Sequence, residues 1–199
     1  MLGLLLAVLT HYDVLIQAGH QGRPDCWREP QSLCHNTGAG TPPGEIVWNP
    51  IVANEAARVL RAHGVRVLRL PAYVHGTYHV RVAVYVHFDG NVVPCSSGAS
   101  VAYPRYSTAS KNIADAWKRL YGKYWPYRFK HDDFTPTERA YYAYHHVIAT
   151  DGQFLIEGGE MTCPAQYAWL KRHLRWEGAL LAYFLGERIG VRVPFPAPP

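Results

Sequence analysis

No stretch of this chain approaches the ~20 consecutive apolar residues that a membrane-spanning helix requires. The apolar run at residues 2–9 is less than half that length, so stable membrane insertion is not expected. No block of lysine and arginine stands out either. The 20 basic residues are scattered, and the net charge of +5 reads as solvated surface rather than as a nucleic-acid patch. Nucleic acid is therefore not an expected partner, although the positive balance suits polyanionic surroundings such as anionic lipid or acidic wall polymer. Cysteine is sparse: Cys26, Cys34, Cys95 and Cys163 include no C-x-x-C pair, which argues against a thiolate zinc site. Internal repeats and low-complexity segments are absent, and no shift in composition marks a domain boundary.

What remains is a chain of 199 residues, 48% hydrophobic, which fits one domain with a sizeable core. Strand-like apolar runs alternate with helical patterns. Strands are expected at residues 13–17, 65–70, 80–86 and 154–156. Helices are expected from Glu45 to Gly64, over 107–121, through 140–145 behind the capping box Thr135-Pro136-Thr137-Glu138, and from Pro164 to about Ile189. This alternation predicts a single α/β domain over 1–199, a mostly parallel twisted sheet flanked by helices on both faces. Residues 19–44 form a long irregular connection, unusual enough to suggest function. Residues 89–106 read as loop, and a proline-rich tail closes the chain at 190–199. Residues 1–10 are either the remnant of a signal segment or an apolar first strand. Cys26 and Cys34 are near enough in sequence to close a small loop in an oxidising compartment; spacing does not decide for Cys95 and Cys163.

The chemistry concentrates at the ends of the apolar runs. The first strand leads into Gly19-His20-Gln21-Gly22, the long β-branched run leads into His87, and Phe154-Leu155-Ile156 leads into Glu157-Gly158-Gly159. In an open α/β sheet, groups just past the carboxyl ends of parallel strands converge on one crevice. His20, His87 and a carboxylate could hold zinc there and leave a fourth position open. Glu45, opening a helix, is the expected third ligand, with Glu55 as its mid-helix rival. Glu157 directly continues a buried strand, where a carboxylate is costly unless paired or functional, and is the catalytic candidate. Glu160 is a weaker substitute, expected in solvent or capping the next helix. His145 and His146 are adjacent on an expected helix, so at most one could reach a site.

Taken in order, these segments resemble the zinc-dependent N-acetylmuramoyl-L-alanine amidases of the type-three family. The family's Gly-His-Gly-Gly turn is matched by Gly19-His20-Gln21-Gly22. Its helix-opening Glu, followed by a Gly and a Val-rich strand, is matched by Glu45, Gly64 and residues 65–70. Its Ser-Ile-His-Ala segment is matched by Tyr85-Val86-His87-Phe88, and its Leu-Val-Glu-x-Gly by Leu155-Ile156-Glu157-Gly158-Gly159. The resemblance implies Zn2+ held by His20, Glu45 and His87, with Glu157 as catalytic base. It further implies peptidoglycan as substrate and partner, hydrolysis of the amide between the muramic acid lactyl group and L-alanine, and a periplasmic or extracellular setting. The chain departs from the pattern at Gln17-Ala18, where the family has Asp-Pro, at Tyr85 in place of Ser, and at Asp89 two positions beyond His87.

Aromatic residues crowd 103–144, and Tyr124, Trp125 and Tyr127 are candidates to line a groove for sugar or stem peptide. Three rival readings stand beside the amidase: a zinc peptidase or amidohydrolase of another substrate, a silent wall-binding module, and a nucleic-acid binder. His20 is followed by Gln21-Gly22-Arg23, so the His-x-x-Glu of many metallocarboxypeptidases is missing.

Overall fold

A computed structural model describes residues 12–22, 38–39 and 44–199. The run at 2–9, most of the 19–44 connection and the Cys26/Cys34 pair lie outside these residues. Among them, five strands form one sheet in the order β2-β1-β3-β5-β4. These are β1 Tyr12–Ala18, β2 Val67–Leu70, β3 Tyr78–Asp89, β4 Ser100–Ala102 and β5 Val147–Glu160. The first three and β5 run parallel, and β4 closes the edge antiparallel to β5. Helices α1 (Glu45–Ala62), α2 (Thr108–Tyr121), α3 (Pro136–Arg139) and α4 (Pro164–Ile189) complete the fold, with a 3-10 turn at Tyr142–His145.

Alternation along the strands sorts the core into two layers. Val14, Ile16, Val82, Val84, Val86, Phe154 and Ile156 face the larger layer, which α1, α2 and α4 cover. Leu15, Ala83, Tyr85, Ala102 and Leu155 face the smaller one, covered by Val74 and the segment from Tyr141 to Val147. Both faces are buried, so the inner strands read as near-continuous β-branched runs. The single α/β domain with a mostly parallel sheet is as expected, but helices on both faces are not: the three long helices lie on one face, and the 3-10 turn with its neighbours covers the other, because the aromatic residues there pack directly on the sheet. Helices α1 and α4 pack closely because Gly178 carries no side chain; a Cβ there would lie 2.6 Å from the Val52 carbonyl.

Strand β5 runs over Val147–Glu160 where only 154–156 is expected, and two further expectations differ. The capping box at Thr135 and Glu138 forms, but α3 stops at Arg139 instead of running through 145. Tyr141, Ala143 and Tyr144 are drawn onto the sheet against Tyr85, and that packing outweighs helix continuation. Strand β4 falls inside the expected 89–106 loop; three residues are too few to show a period.

Candidate metal centre

The chain leaves the sheet's middle in opposite directions. From β1 it crosses through α1 to β2 on one side, then returns to β3 on the other. That reversal opens a crevice at the carboxyl ends of β1 and β3, where ligands bind in open α/β sheets. His20 follows β1, His87 lies near the end of β3, and Glu45 opens α1 beside them.

The three side chains converge. One ligand atom from each of His20, Glu45 and His87 lies within 4.8 Å of the others. Glu45 Oε2 is 3.5 Å from His20 Nε2 and 3.3 Å from His87 Nδ1, and the imidazoles meet edge-on with centroids 5.0 Å apart. Gly19 makes the approach possible, since a Cβ there would sit 2.2 Å from the His87 ring. His20 itself takes the left-handed conformation, at φ 60°.

Glu45 is held as an anion. Burial alone would raise its pKa, but the imidazoles of His87 and His20 and the Ala39 amide keep it below the usual carboxylate value. The Ala39 amide donates to Oε1 at 2.5 Å, and the Phe88 amide donates to Oε2 at 3.2 Å. Asn49, one helical turn after Glu45, donates to Oε2 at 3.3 Å and to the Gly19 carbonyl at 2.9 Å, tying helix to turn. Sequence reading passes over Asn49; the available signal is a polar residue at i+4 from Glu45, on the same helix face. Two imidazole nitrogens and a carboxylate oxygen are a donor set able to hold a metal ion.

Glu157 is the neighbour of His87 in the β3–β5 register and of Ser100 in the β5–β4 register. It shares with the three-residue group a cleft of about 480 Å³, which Asp89, Glu138 and Tyr141 also line. Its Oε2 is shut from solvent with no hydrogen-bond partner among the described residues. Burial first, then the charges of Glu45, Glu138 and Asp89, push its pKa well above the ordinary value. Glu138 accepts from Ser100 Oγ at 2.6 Å while completing its capping box.

Other candidates lie elsewhere. Glu55 pairs with Arg58 of its own helix and with Arg175 of α4. Glu160 is fully buried, contrary to the expectation of solvent: it accepts from the amides of Cys95 and Ser97 and from the Thr162 hydroxyl. His145 and His146 are not among the cleft residues. Nor are Tyr124, Trp125 and Tyr127, which pack against the α2–α4 side of the core through Trp169, Trp176 and the Ala165 carbonyl. The 103–144 aromatics that do reach the cleft are Tyr141 and Tyr142.

The fold is that of the catalytic domains of N-acetylmuramoyl-L-alanine amidases. The catalytic domain of CwlV from Bacillus (Paenibacillus) polymyxa var. colistinus superposes with a TM-score of 0.66 at 15% identity, over 91% of this chain and 99% of that one. The amidase Ami1 from Mycobacterium smegmatis gives 0.65 at 18% identity, over 90% and 97%. The catalytic domain of the CD27L endolysin, which targets Clostridia difficile, gives 0.64 at 18% identity, over 92% and 100%. No protein-family model matches the chain, and no curated protein matches it in sequence.

Proposed function

We propose that this chain is a zinc-dependent amide hydrolase that cleaves the bond between the muramic acid lactyl group and L-alanine in peptidoglycan. The observation that carries the reading is the convergence of His20, Glu45 and His87 beside Glu157 in one cleft at the sheet's switch point. The amidase fold of the solved structures supports the substrate class.

His20, Glu45 and His87 would hold the metal. When bound, zinc supplies a Lewis acid that polarises a carbonyl and acidifies water. Glu157 takes the proton from the attacking water and returns it to the departing amine nitrogen. Tyr141, Glu138 and the Gly38–Ala39 segment line the cleft beside these residues. The site of action is the cell envelope. The Cys95–Cys163 disulfide fits the oxidising side of a membrane, and no helix among the described residues is long and apolar enough to cross one.

Mass spectrometry of soluble products from purified peptidoglycan, with zinc-loaded protein and a chelated control, tests the reading. The expected products are peptides with a free L-alanine amine, released only with metal and leaving intact glycan. Cleavage between stem-peptide residues would make the protein a peptidase instead, and no release at all with zinc bound would favour a silent wall-binding module. Glu157→Gln is expected to keep zinc and lose roughly 10²–10⁴-fold in turnover, the range for a positioned acid–base group. A near-normal rate would sink its role.

A further inference from the structure

The Nε2 edge of His87 ends a chain of hydrogen bonds whose polarity can be read from its far end. The Ala72 carbonyl can only accept, so the Gln17 atom 2.6 Å from it is the amide nitrogen. Gln17 Oε1 is then the acceptor, and the Tyr141 hydroxyl, 2.8 Å away, donates its one proton to it. Tyr142 locks this orientation: its hydroxyl accepts from Gln17 Nε2 at 3.2 Å and itself donates to Ala72. Tyr141 thus turns a lone pair toward His87 Nε2 at 3.1 Å, and that nitrogen must carry the hydrogen. The other ring nitrogen, Nδ1, faces Glu45 Oε2 at 3.3 Å, on the side where the three ligand atoms converge.

We propose that Gln17 and Tyr141 are positioning residues for His87, fixing the Nε2–H tautomer so that Nδ1 is free for a divalent cation. The inference rests on the zinc-site reading and extends it to residues outside the ligand set. Packing supports it. Gln17 is fully buried and Tyr141 is 7% exposed, its ring edge-on to His87 at 5.3 Å and tilted against Tyr85 at 5.1 Å. The hydroxyl therefore has little freedom to turn away.

The test reads metal affinity together with proton position, which a purely structural pin would not move. Long-range 1H–15N NMR of the metal-free protein is expected to show His87 as the Nε2–H tautomer. Gln17→Leu releases the Tyr141 proton to turn toward Nε2, and His87 is then expected to shift to Nδ1–H. Zinc dissociation constants from chelator competition are expected to rise about 10–100-fold in Gln17→Leu and in Tyr141→Phe, the usual effect of losing a ligand's outer partner. The double variant is expected to lose no more than the worse single one, because both act through one chain. An Nδ1–H tautomer in the wild type overturns the proposal, as do unchanged zinc affinities in both variants. The NMR arm needs neither metal nor substrate. A wild type that binds no zinc therefore overturns the metal-site reading, while the proton position on His87 still decides this one.

Discussion

Glu177 shows how far a single residue's surroundings can move its chemistry. It lies on α4 beneath the strand end that carries Glu157, 1% exposed, with Oε1 unpartnered among the described residues and the Tyr121 hydroxyl 3.5 Å from Oε2. Burial pushes its pKa up from 4.5 to about 8, against a small opposing effect of the Tyr121 contact. An unfolded chain releases this proton near the ordinary value, whereas the folded protein keeps it until about pH 8. The folded state therefore binds the extra proton in between, and stability falls as pH rises across that window. The loss is on the order of 5 kcal/mol and levels off above the folded value. Glu177→Gln is expected to be increasingly more stable than the wild type from pH 5 to pH 8, read by urea unfolding at several pH values. A difference that stays constant with pH would refute the assignment.

At the scale of elements, the loop that follows β3 is fastened to the start of α4. Cys95 and Cys163 form a disulfide across 68 residues, a pairing that spacing left open. Glu160, at the end of β5, accepts from two amides of the same loop. The wall of the cleft at Asp89 and Gly90 is thereby tied to the strand that carries Glu157. Cys163→Ser is expected to cost about 2–4 kcal/mol, because the cross-link restricts the unfolded chain. Thermal melting with and without reductant checks it: reductant should lower the wild-type midpoint toward that of the variant. Equal midpoints throughout would mean the bond contributes nothing. Glu138 joins elements in another way, since a helix-capping residue here also reaches Ser100 of β4.

For the whole molecule, the candidate metal centre gathers the end of β1, the start of α1 and the end of β3. No single element contains it, so it exists only in the folded chain. A cation that binds the native state alone stabilises it by mass action, about 2.7 kcal/mol at a free concentration 100-fold above its dissociation constant. Chelation is expected to lower the melting temperature, and added zinc to restore it. A melting curve indifferent to both would count against the site. The effect should persist in Glu157→Gln, which leaves the three ligands in place.

The sequence by itself determined the α/β class and α4, whose expected limits coincide with Pro164–Ile189, whereas β3 and β5 run on through His87 and Glu157 to Asp89 and Glu160. It did so because buried strands must be apolar throughout, and because helix starts and stops use side chains with local effects. His20, His87 and Glu157 were legible for the same reason, since each interrupts or follows an apolar run where a polar group needs a function, whereas Glu45 stood out as a helix-opening residue matched by the resemblance. What only the tertiary structure decided is contact between segments far apart in the chain. The partner of Cys95, the burial of Glu160 and Glu177, the early end of α3 and the Gln17–Tyr141–His87 chain all depend on which surfaces meet. The separation of Gln17 and Tyr141 by 124 positions leaves no periodicity for a sequence to display. Likewise Tyr124, Trp125 and Tyr127 carried the right residue types for a groove, but packing turned them to the α4 side. Composition states what a side chain can do, and only the fold fixes what stands beside it.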